Sequence, residues 1–404
     1  MSADRGGSAV VVYDDAAARR FQPFALTRPA SELVAGTTLI ADRWSVALGP
    51  VNGFVSSAHL ADFAEAGRPP MAAVALPAGT ILANSRCIAA LEPADGDADV
   101  WTCDGRVAAV RLHSATDAGA LADGRLELEE LARSGRSVAI AGRWITEIWD
   151  LLGGLNAQLA DDIPLIARAR GVHAREGAAA LGDHPVFIDA DVSMAPYVCL
   201  DTTAGPIFIG RHCSVAPFTR IAGPCYFDEH VTIAGDSIAS SSVGAWSKVH
   251  GELSSSIVIG HSNKGHFGFV GHSYLGRWVN LGAGTTTSNL KNTYGTVSLW
   301  TPDGVRDTGL QFLGTLFGDH VKTGIGMRLN TGTVLGAGAS VFDAMPPKMV
   351  EPFSWGSGAP YDRFQLDKFL DVAERMMERR RVPLTERARR QLSAAHAAHG
   401  RAGR

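Results

Sequence analysis

An apolar residue recurs at every sixth position through much of the second half of the chain. The longest uninterrupted series is Ile209, Val215, Ile221, Phe227 and Ile233, and the residue after each member is small or acidic. A period of six matches neither an α-helix nor an alternating strand. It is typical of a parallel β-helix, in which each six-residue unit forms one side of a triangular coil and its branched residue points inwards.

The same period extends on both sides of that series. Two stretches interrupt it: residues 250–268, which are rich in His, Ser and Gly, and residues 283–316, which form a long polar segment. A long loop inside a compact domain usually carries function, so the second stretch is a candidate site segment. The further members of the repeat are Val186, Val192, Val198, Val243, Val249, Phe269, Leu275, Leu281, Phe317, Thr323, Leu329, Leu335 and Val341.

The front of the chain has a different pattern, that of a mixed α/β domain. Residues 9–13 predict a buried strand and residues 144–159 a helix, and Pro164, Gly171 and residues 176–178 predict a linker. From residue 361 the period becomes helical and ends in an Arg-rich tail, for which a helix packed on the end of the β-helix is favoured over a nucleic-acid arm. The predicted domains are therefore 1–172 (α/β), 173–350 (β-helix) and 351–404 (helical tail).

Composition excludes several classes of protein. The 37 Lys and Arg against 41 Asp and Glu argue against a nucleic-acid partner, which clustered basic residues would bind. No window is apolar enough for a membrane span, and residues 1–8 lack a basic segment followed by an apolar one. The five cysteines are odd in number and form no C-x-x-C pair, which favours free thiols in the cytoplasm and no zinc.

Four motifs lie close together around the interruptions: Ser-Asn-Lys-Gly-His at 262–266, Gly-His-Ser-Tyr-Leu-Gly at 271–276, Asn-Leu-Gly-Ala-Gly-Thr at 280–285 and Ser-Asn-Leu-Lys-Asn at 288–292. They resemble the acetyltransferase half of the bifunctional N-acetylglucosamine-1-phosphate uridyltransferase/glucosamine-1-phosphate N-acetyltransferase family. The segments at 13–15, 26–29, 51–53 and 353–356 resemble a shortened branch of that family, whose members are labelled sugar nucleotidyltransferases. The resemblance implies a truncated nucleotidyltransferase-like α/β domain, a left-handed hexapeptide β-helix followed by a C-terminal helix, and a homotrimer with sites between neighbouring subunits.

The same resemblance implies roles for individual residues. His266 falls on the general base, Asn280 and Asn289 fall on catalytic substrate-contacting positions, and the backbone N–H of Ala283 falls on the oxyanion side. A histidine is the natural base near neutral pH, and backbone donors at a Gly-rich corner are fixed in advance. The implied substrate-binding residues are Lys264, Tyr274, Lys291, Arg220 and Arg28, and those lining an acetyl-CoA groove are Ala283, Gly284, Gly318, Gly336 and Ala337.

Two departures from the family pattern bear on the acceptor sugar. Phe269 stands where an aromatic hydroxyl is expected, so a substrate hydrogen bond is lost unless Tyr274 supplies it. Arg220 is displaced from the usual arginine position, which Ala222 occupies. A metal cluster of His250, His261, His266 and His272 is disfavoured, because the spacing places their rings on different faces of a coil.

The strand at 9–13 is followed by Asp14 and Asp15, where a phosphate-binding loop is expected, and no glycine occurs until Gly36. Carboxylates repel phosphate, and arginines, Arg28 among them, replace backbone donors only in part. The aspartates either hold Mg²⁺ or, more simply, begin a turn or helix. Three functions follow: acyl transfer from acetyl-CoA to an amino-sugar phosphate, Mg²⁺-dependent nucleotidyl transfer from a nucleoside triphosphate with the β-helix as trimerising scaffold, or sugar or nucleotide binding by a trimer without turnover.

Overall fold

The computed structural model describes residues 9–72, 75–132 and 135–402. These form two compact units: residues 9–21, 25–148 and 385–402 make the first, and residues 22–24 and 149–384 make the second. The units divide the chain at other places than the predicted domain bounds of 172 and 350. The prediction about a leader segment concerns residues 1–8, which lie outside the described residues. No helix in the described part of the chain is long and apolar enough to cross a bilayer.

The first unit is built on a six-stranded mixed sheet. Its central strand, Val10–Tyr13, is buried along its whole length and runs parallel to both neighbours, Val51–Val55 and Ile81–Asn84. The strand predicted at 9–13 is therefore confirmed. Its sequence is continuously apolar because both faces of the strand are covered. The sheet order is Ser137–Ala139, Val100–Cys103, Arg106–Arg111, Ile81–Asn84, Val10–Tyr13 and Val51–Val55.

Short elements complete this unit. The strand pairs are Val34–Ala35 with Thr38–Leu39, Ala75–Leu76 with Thr116–Asp117, and Cys87–Ala89 with Gly142–Trp144. The helices are Ala18–Arg20, Ala30–Glu32, Ile40–Leu48, Ala58–Leu60, Ala118–Leu121, Leu128–Leu131 and Glu386–Ala402.

The last helix corrects a prediction, because it packs in the α/β unit and not on the end of the β-helix. Its Gln391 donates to the Thr27 carbonyl at 2.6 Å, and Arg390 pairs with Asp62 at 3.1 Å. Leu392 and Ala395 are buried on its inner face. A helix that is polar overall thus has a narrow apolar stripe, and that stripe determines where it docks.

The predicted helix at 144–159 begins later, as Asp150–Gly153 followed by Leu155–Ala169. Pro164 lies inside the second helix, so the interpretation of Pro164 as part of a linker is wrong. A proline removes one helical hydrogen bond, here to the carbonyl four residues earlier. That residue is the exposed Ala160, where water can satisfy the freed carbonyl.

The second unit is a parallel β-helix, so the predicted architecture is confirmed. Ile207 pairs with Cys225, three hexads later, as a triangular coil requires. The first face has Val186–Ile188, Ile207–Ile209, Cys225–Phe227, Ser242–Val243, Ile257–Gly260, Tyr274–Arg277, Thr315–Phe317, Thr333–Leu335 and Met349–Val350. The second has Ser193–Met194, Ser214–Val215, Thr232–Ile233, Lys248–Val249 and Asn263–Lys264, and resumes with Lys322–Thr323, Ser340–Val341, Ser354–Gly356 and the antiparallel Asp362–Arg363. The third has Cys199–Asp201, Arg220–Ala222, Ser237–Ala239, Glu252–Ser254 and Phe269–Gly271, and Thr286–Thr287 pairs with Arg328–Leu329.

The interruption predicted at 250–268 is not a break. The coils there are shorter, and all three faces continue through this stretch. Ser242 pairs with Ile257 and Lys248 with Asn263, each half a hexad short of a full coil. A shortened coil destroys the period of six without disturbing the ladder, and it changes which residues face inwards.

Phe269 is one consequence of the changed register. Leu253 pairs with Val270, and it is Val270 that is fully buried while Phe269 is partly exposed. The predicted inward position at 269 is therefore wrong by one residue.

The second predicted interruption, 283–316, contains a genuine insertion at 288–314, because Thr286–Thr287 and Thr315–Phe317 still pair with the coils. The first face passes directly from Tyr274 to Leu316, and between them the chain forms the hairpin of Ser298–Thr301 and Gly304–Asp307. The helix Leu366–Glu378 then packs on the last coils through Phe369, whose ring lies 5.1 Å from that of Phe353.

Candidate functional site

Residues 264–268 turn one corner of the β-helix, and residues 282–285 of the next coil lie directly against them. The Gly284 N–H donates to the Phe267 carbonyl at 3.1 Å. Gly268 has φ +123°, and a Cβ there would overlap the Thr285 carbonyl oxygen. Glycine is needed at 268 because both the backbone angle and the close approach exclude a side chain.

His266 is exposed at this corner, with Ala283 in the equivalent place one coil later. Asn263 bridges to Asn280, and His266 and Ala283 each follow by three residues. Neighbouring strands are about 4.8 Å apart, so the two residues are close neighbours. Among the described residues, none accepts a hydrogen bond from the Ala283 N–H. The corner therefore presents an imidazole beside a backbone donor that is not already used.

A column of polar side chains runs along the outer surface of the adjoining face. Lys248 pairs with Asn263, and Asn280 bridges to both Asn263 and Lys322. The Asn263 Nδ2 donates to the Asn280 Oδ1 at 2.9 Å, which fixes the orientation of both amides. Burial lowers the pKa of Lys322 to about 8.

Sequence reasoning identified Asn280 in this column and missed Lys248, Asn263 and Lys322. The available signal was the late position of the lysines: all six lie at or after Lys248.

Asn289 is held by a histidine from the preceding coil. Its Nδ2 lies 2.9 Å from the His272 Nδ1, and the His272 ring stacks on Phe312 at 5.2 Å. Burial lowers the pKa of His272, which favours the neutral ring whose Nδ1 accepts this hydrogen bond. A Cβ on Gly271 would touch both the Phe269 ring and the Asn289 amide, so these two groups are neighbours.

The structure contradicts substrate-binding roles for Lys264 and Tyr274. Lys264 is 3% exposed and lies inside the β-helix, in register with the inward Val249. Tyr274 is fully buried and its ring packs on Phe24 at 4.7 Å. The shortened coil turns Lys264 inwards, and the first face buries Tyr274.

Three of the predicted groove residues are also closed to a ligand. Gly318, Gly336 and Ala337 are buried, and a Cβ on Gly318 would lie 2.6 Å from the Ala337 nitrogen. They pack one coil on the next, as corner residues do, so the predicted contact with CoA is wrong for these three. Ala283 and Gly284 remain partly exposed at the His266 corner.

The remaining cations of this unit lie in different settings. Arg220 pairs with Asp201 at 2.5 Å. Arg220 lies on the third face, three strands before Phe269, and three strand spacings are roughly 14 Å. The structure therefore does not bring Arg220 to the His266 corner. Lys291 is partly exposed within the insertion. The pKa of the nearby Asp307 carboxyl is lowered mainly by its hydrogen bonds from Gly309 and Thr296, and the charge of Lys291 lowers it further.

In the first unit, both aspartates after the central strand are occupied by internal partners. Asp14 is buried, accepts from the Ser56 hydroxyl at 2.6 Å and from the Ala30 N–H at 3.0 Å, and burial raises its pKa. Asp15 accepts from the Ala18 N–H at 2.9 Å and pairs with Arg86 at 2.7 Å. Burial alone would raise the pKa of Asp15, but the hydrogen bonds and charge of Arg86 lower it.

The interpretation of Asp15 as the start of a turn agrees with the structure, because its side chain accepts from the Ala18 N–H just before the short helix Ala18–Arg20. Arg28 is 2% exposed and pairs with Glu65 at 2.9 Å, so its predicted substrate-binding role is wrong. No group of three His, Cys, Asp or Glu in the described ranges is arranged to hold a metal ion.

Comparisons with known proteins find partial similarity to sugar nucleotidyltransferases. Residues 10–171 match a family model described as sugar nucleotidyl transferase. Bifunctional protein GlmU of Nitrosospira multiformis is 26% identical over 176 residues, which are 42% of this chain and 32% of the relative. A bifunctional sugar-1-phosphate nucleotidylyltransferase/acetyltransferase of Sulfurisphaera tokodaii is 32% identical over 91 residues, 22% of this chain and 23% of the relative. The predicted resemblance is confirmed, and the chain spans about a third or less of the length of these curated relatives.

Among solved structures, AntD, an N-acyltransferase from Bacillus cereus in complex with dTDP and 3-hydroxybutyryl-CoA, is similar to part of the chain. It is 12% identical, the match covers 48% of this chain and 88% of that one, and the TM-score is 0.22. A TM-score this low does not establish a shared fold, so the β-helix here rests on its own strand pairings.

Proposed function

We propose that this chain is an N-acyltransferase that moves an acyl group, acetyl in the first instance, from a CoA thioester to the amine of an amino-sugar phosphate. The observation that carries the proposal is the exposed His266 imidazole beside the uncommitted Ala283 N–H at one corner of the β-helix. Acyl transfer to an amine needs a base for the amine proton and a donor for the developing oxyanion. These two residues supply them.

The proposed reaction balances with these groups alone. The sugar amine bonds to the thioester carbonyl carbon as His266 takes the amine proton. The Ala283 N–H stabilises the negative charge on the carbonyl oxygen. When the carbon–sulfur bond breaks, His266 returns the proton to the thiolate, so the products are the amide and free CoA.

Positive charge near the corner favours a phosphorylated acceptor. Lys248 and Lys322 lie at the two ends of the column that contains Asn280, and Lys291 follows Asn289 in the insertion. Lysine binds phosphate as a point charge. The amide groups of Asn280 and Asn289, each fixed by a neighbour, suit the hydroxyl and amine groups of a sugar.

A homotrimer is the proposed assembly, with the site between neighbouring subunits. The edge of the β-helix that contains the His266 corner exposes a row of large apolar side chains, which usually marks a protein interface. Five free thiols and a CoA substrate suit the cytoplasm. The exposed apolar residues of this edge are Tyr197, Phe218, Phe267, Ile325 and Phe342.

The deciding experiment measures CoA thiol release by the full chain with acetyl-CoA and a panel of amino-sugar phosphates. We expect His266→Ala to lower the rate by about 10²- to 10⁴-fold, the usual contribution of a general base. His212→Ala is the matched control, because His212 is also a corner histidine, with a side chain 43% exposed, but lies in an early coil. Unchanged CoA release in His266→Ala would contradict the mechanism.

Sugar-1-phosphate nucleotidyl transfer is the second candidate, because residues 10–171 match the nucleotidyl transferase model. Mg²⁺ and a nucleoside triphosphate would then be required, and the β-helix would serve as scaffold. Pyrophosphate release from any of the four common triphosphates with a hexose 1-phosphate would support it, and no release from any would contradict it. Binding of sugar or nucleotide without either product would favour a non-catalytic trimer.

A further inference from the structure

Lys264 has an unusual position for a lysine. The inward column of its face contains Val215, Ile233 and Val249, and Lys264 takes the next place in that column. Its side chain is 3% exposed, and among the described residues no carboxylate lies within ion-pair distance of it. Burying an ammonium without a counter-ion is costly, so a compensating interaction must hold it there.

The compensating interactions are hydrogen bonds to the backbone of the candidate site. The Lys264 Nζ donates to the His250 carbonyl at 2.6 Å and to the carbonyl of His266. Gly251 makes room for the ammonium, because a Cβ there would lie 2.9 Å from the Nζ and 2.9 Å from the His266 carbonyl oxygen. The lysine thus reaches from inside the coil to the main chain of the residue whose side chain points outwards.

Leu281 follows Lys264 in the inward column, and the interior beyond Leu281 is polar. The hydroxyls of Thr285 and Thr323 lie 2.8 Å apart, Thr285 donates to the Gly282 carbonyl at 2.8 Å, and Thr323 accepts from the Gly282 N–H at 3.0 Å. The places equivalent to Thr323 in earlier coils are filled by Val215, Ile233 and Val249, whereas the place of Thr285 is filled in an earlier coil by Thr219, which donates to the Ala216 carbonyl at 2.7 Å in the same way. Both chain segments of the site corner are therefore held by side chains from inside the β-helix.

We infer that Lys264 is a positioning residue that fixes the main chain at His266 from inside the β-helix and so sets where the His266 imidazole stands. The inference rests on the proposed acyl transfer, because only a catalytic role for His266 requires its imidazole to be held in a fixed place. Its two carbonyl partners belong to neighbouring coils, so the ammonium also sets the spacing between them. An apolar side chain of the same length would fill the space and leave both carbonyls without this donor.

The test compares Lys264→Met with Val249→Ala in the full chain. Methionine replaces the lysine stem as far as Cε but has no N–H group, and Val249 lies in the same inward column one coil away, with no side-chain group that can donate to either carbonyl. We expect Lys264→Met to lower kcat for CoA release about 10²-fold, as a displaced catalytic group does, with KM for acetyl-CoA within a factor of two. Val249→Ala, which loses packing alone, keeps kcat near wild type.

Backbone hydrogen exchange gives a readout that does not depend on activity. Peptides covering residues 264–268 should exchange at least tenfold faster in Lys264→Met than in Val249→Ala, at temperatures where both remain folded. Equal kcat losses in the two variants, or equal exchange, would overturn the inference. If wild type releases no CoA, the proposed function fails, and the exchange comparison still decides whether Lys264 holds this corner.

Discussion

The sequence predicts functional residues at two places. One is the end of the central strand in the α/β unit, and the other is the His266 corner of the β-helix. At the first, Asp14, Asp15 and Arg28 are each held by internal partners: hydroxyl, amide and ion-pair partners lie within 3.0 Å of each. At the second, the His266 imidazole is exposed, and the N–H of the partly exposed Ala283 has no acceptor among the described residues. Residue type suggested both places, but at the first the side-chain oxygen without a partner, Asp14 Oδ1, is buried, whereas at the second His266 is exposed to a substrate.

The difference predicts that substitutions at the first place act on stability and those at the second act on rate. Asp15→Asn should have the largest effect on folding. It leaves the Arg86 guanidinium buried without its carboxylate, which costs about 3–5 kcal/mol of unfolding free energy. Denaturant unfolding measures the loss. A catalytic or Mg²⁺-binding carboxylate would behave in the opposite way, with stability kept and nucleotidyl transfer abolished.

Gly268→Ala should disturb both quantities. The φ of +123° and the overlap with the Thr285 carbonyl oxygen are expected to cost about 2–4 kcal/mol and to lower CoA release about 10²-fold by moving the corner. Gly284→Ala is the control within the same corner. Its φ is +75° but no atom lies closer than 3.4 Å to the added Cβ, so it should cost about 1–2 kcal/mol. Equal effects of the two changes would show that the approach of the coils is not what fixes this corner.

The buried lysine makes the stability of the β-helix depend on pH. Burial lowers the pKa of Lys264 to about 8 from the usual 10.5, against the opposing charge of Asp236. Between these values the unfolded chain binds the proton and the folded chain does not, so this group adds stability as the pH rises from about 8 to 10.5. The unfolding free energy of wild type minus that of Lys264→Met should therefore increase by about 1–2 kcal/mol from pH 7.5 to pH 10, allowing for screening. A difference that stays constant would mean that Lys264 keeps its ordinary pKa.

Arg220→Ala should have the smallest effect. Arg220 is half exposed, and the Asp201 carboxylate keeps its hydrogen bonds from Thr203, so loss of the Arg220–Asp201 pair should cost about 0–1 kcal/mol. With Arg220 roughly 14 Å from Phe269, KM for the sugar phosphate should not change. A several-fold rise in KM would extend the site to the third face.

The period of six was sufficient to predict the β-helix, because inward positions stack on each other from coil to coil. It failed where coils shorten by half a hexad: Lys264 turned inwards, Val270 replaced Phe269 in the interior, and a supposed break proved continuous. The roles of Arg28 and Tyr274 failed for another reason, since motifs identify residue types but do not indicate which are already engaged inside the fold. The Glu386–Ala402 helix had no sequence signal for its docking site beyond a weak apolar stripe.

The insertion at 288–314 lies between the strands Thr286–Thr287 and Thr315–Phe317, and each of these strands pairs with a neighbouring coil. The pairing of the coils therefore does not depend on the length of the insertion. Asn289 and Lys291 are carried on this insertion, whereas His266 and Ala283 belong to the coils. Under the proposed acyl transfer, replacing this insertion would change the groups that meet the acceptor and leave the His266 corner in place.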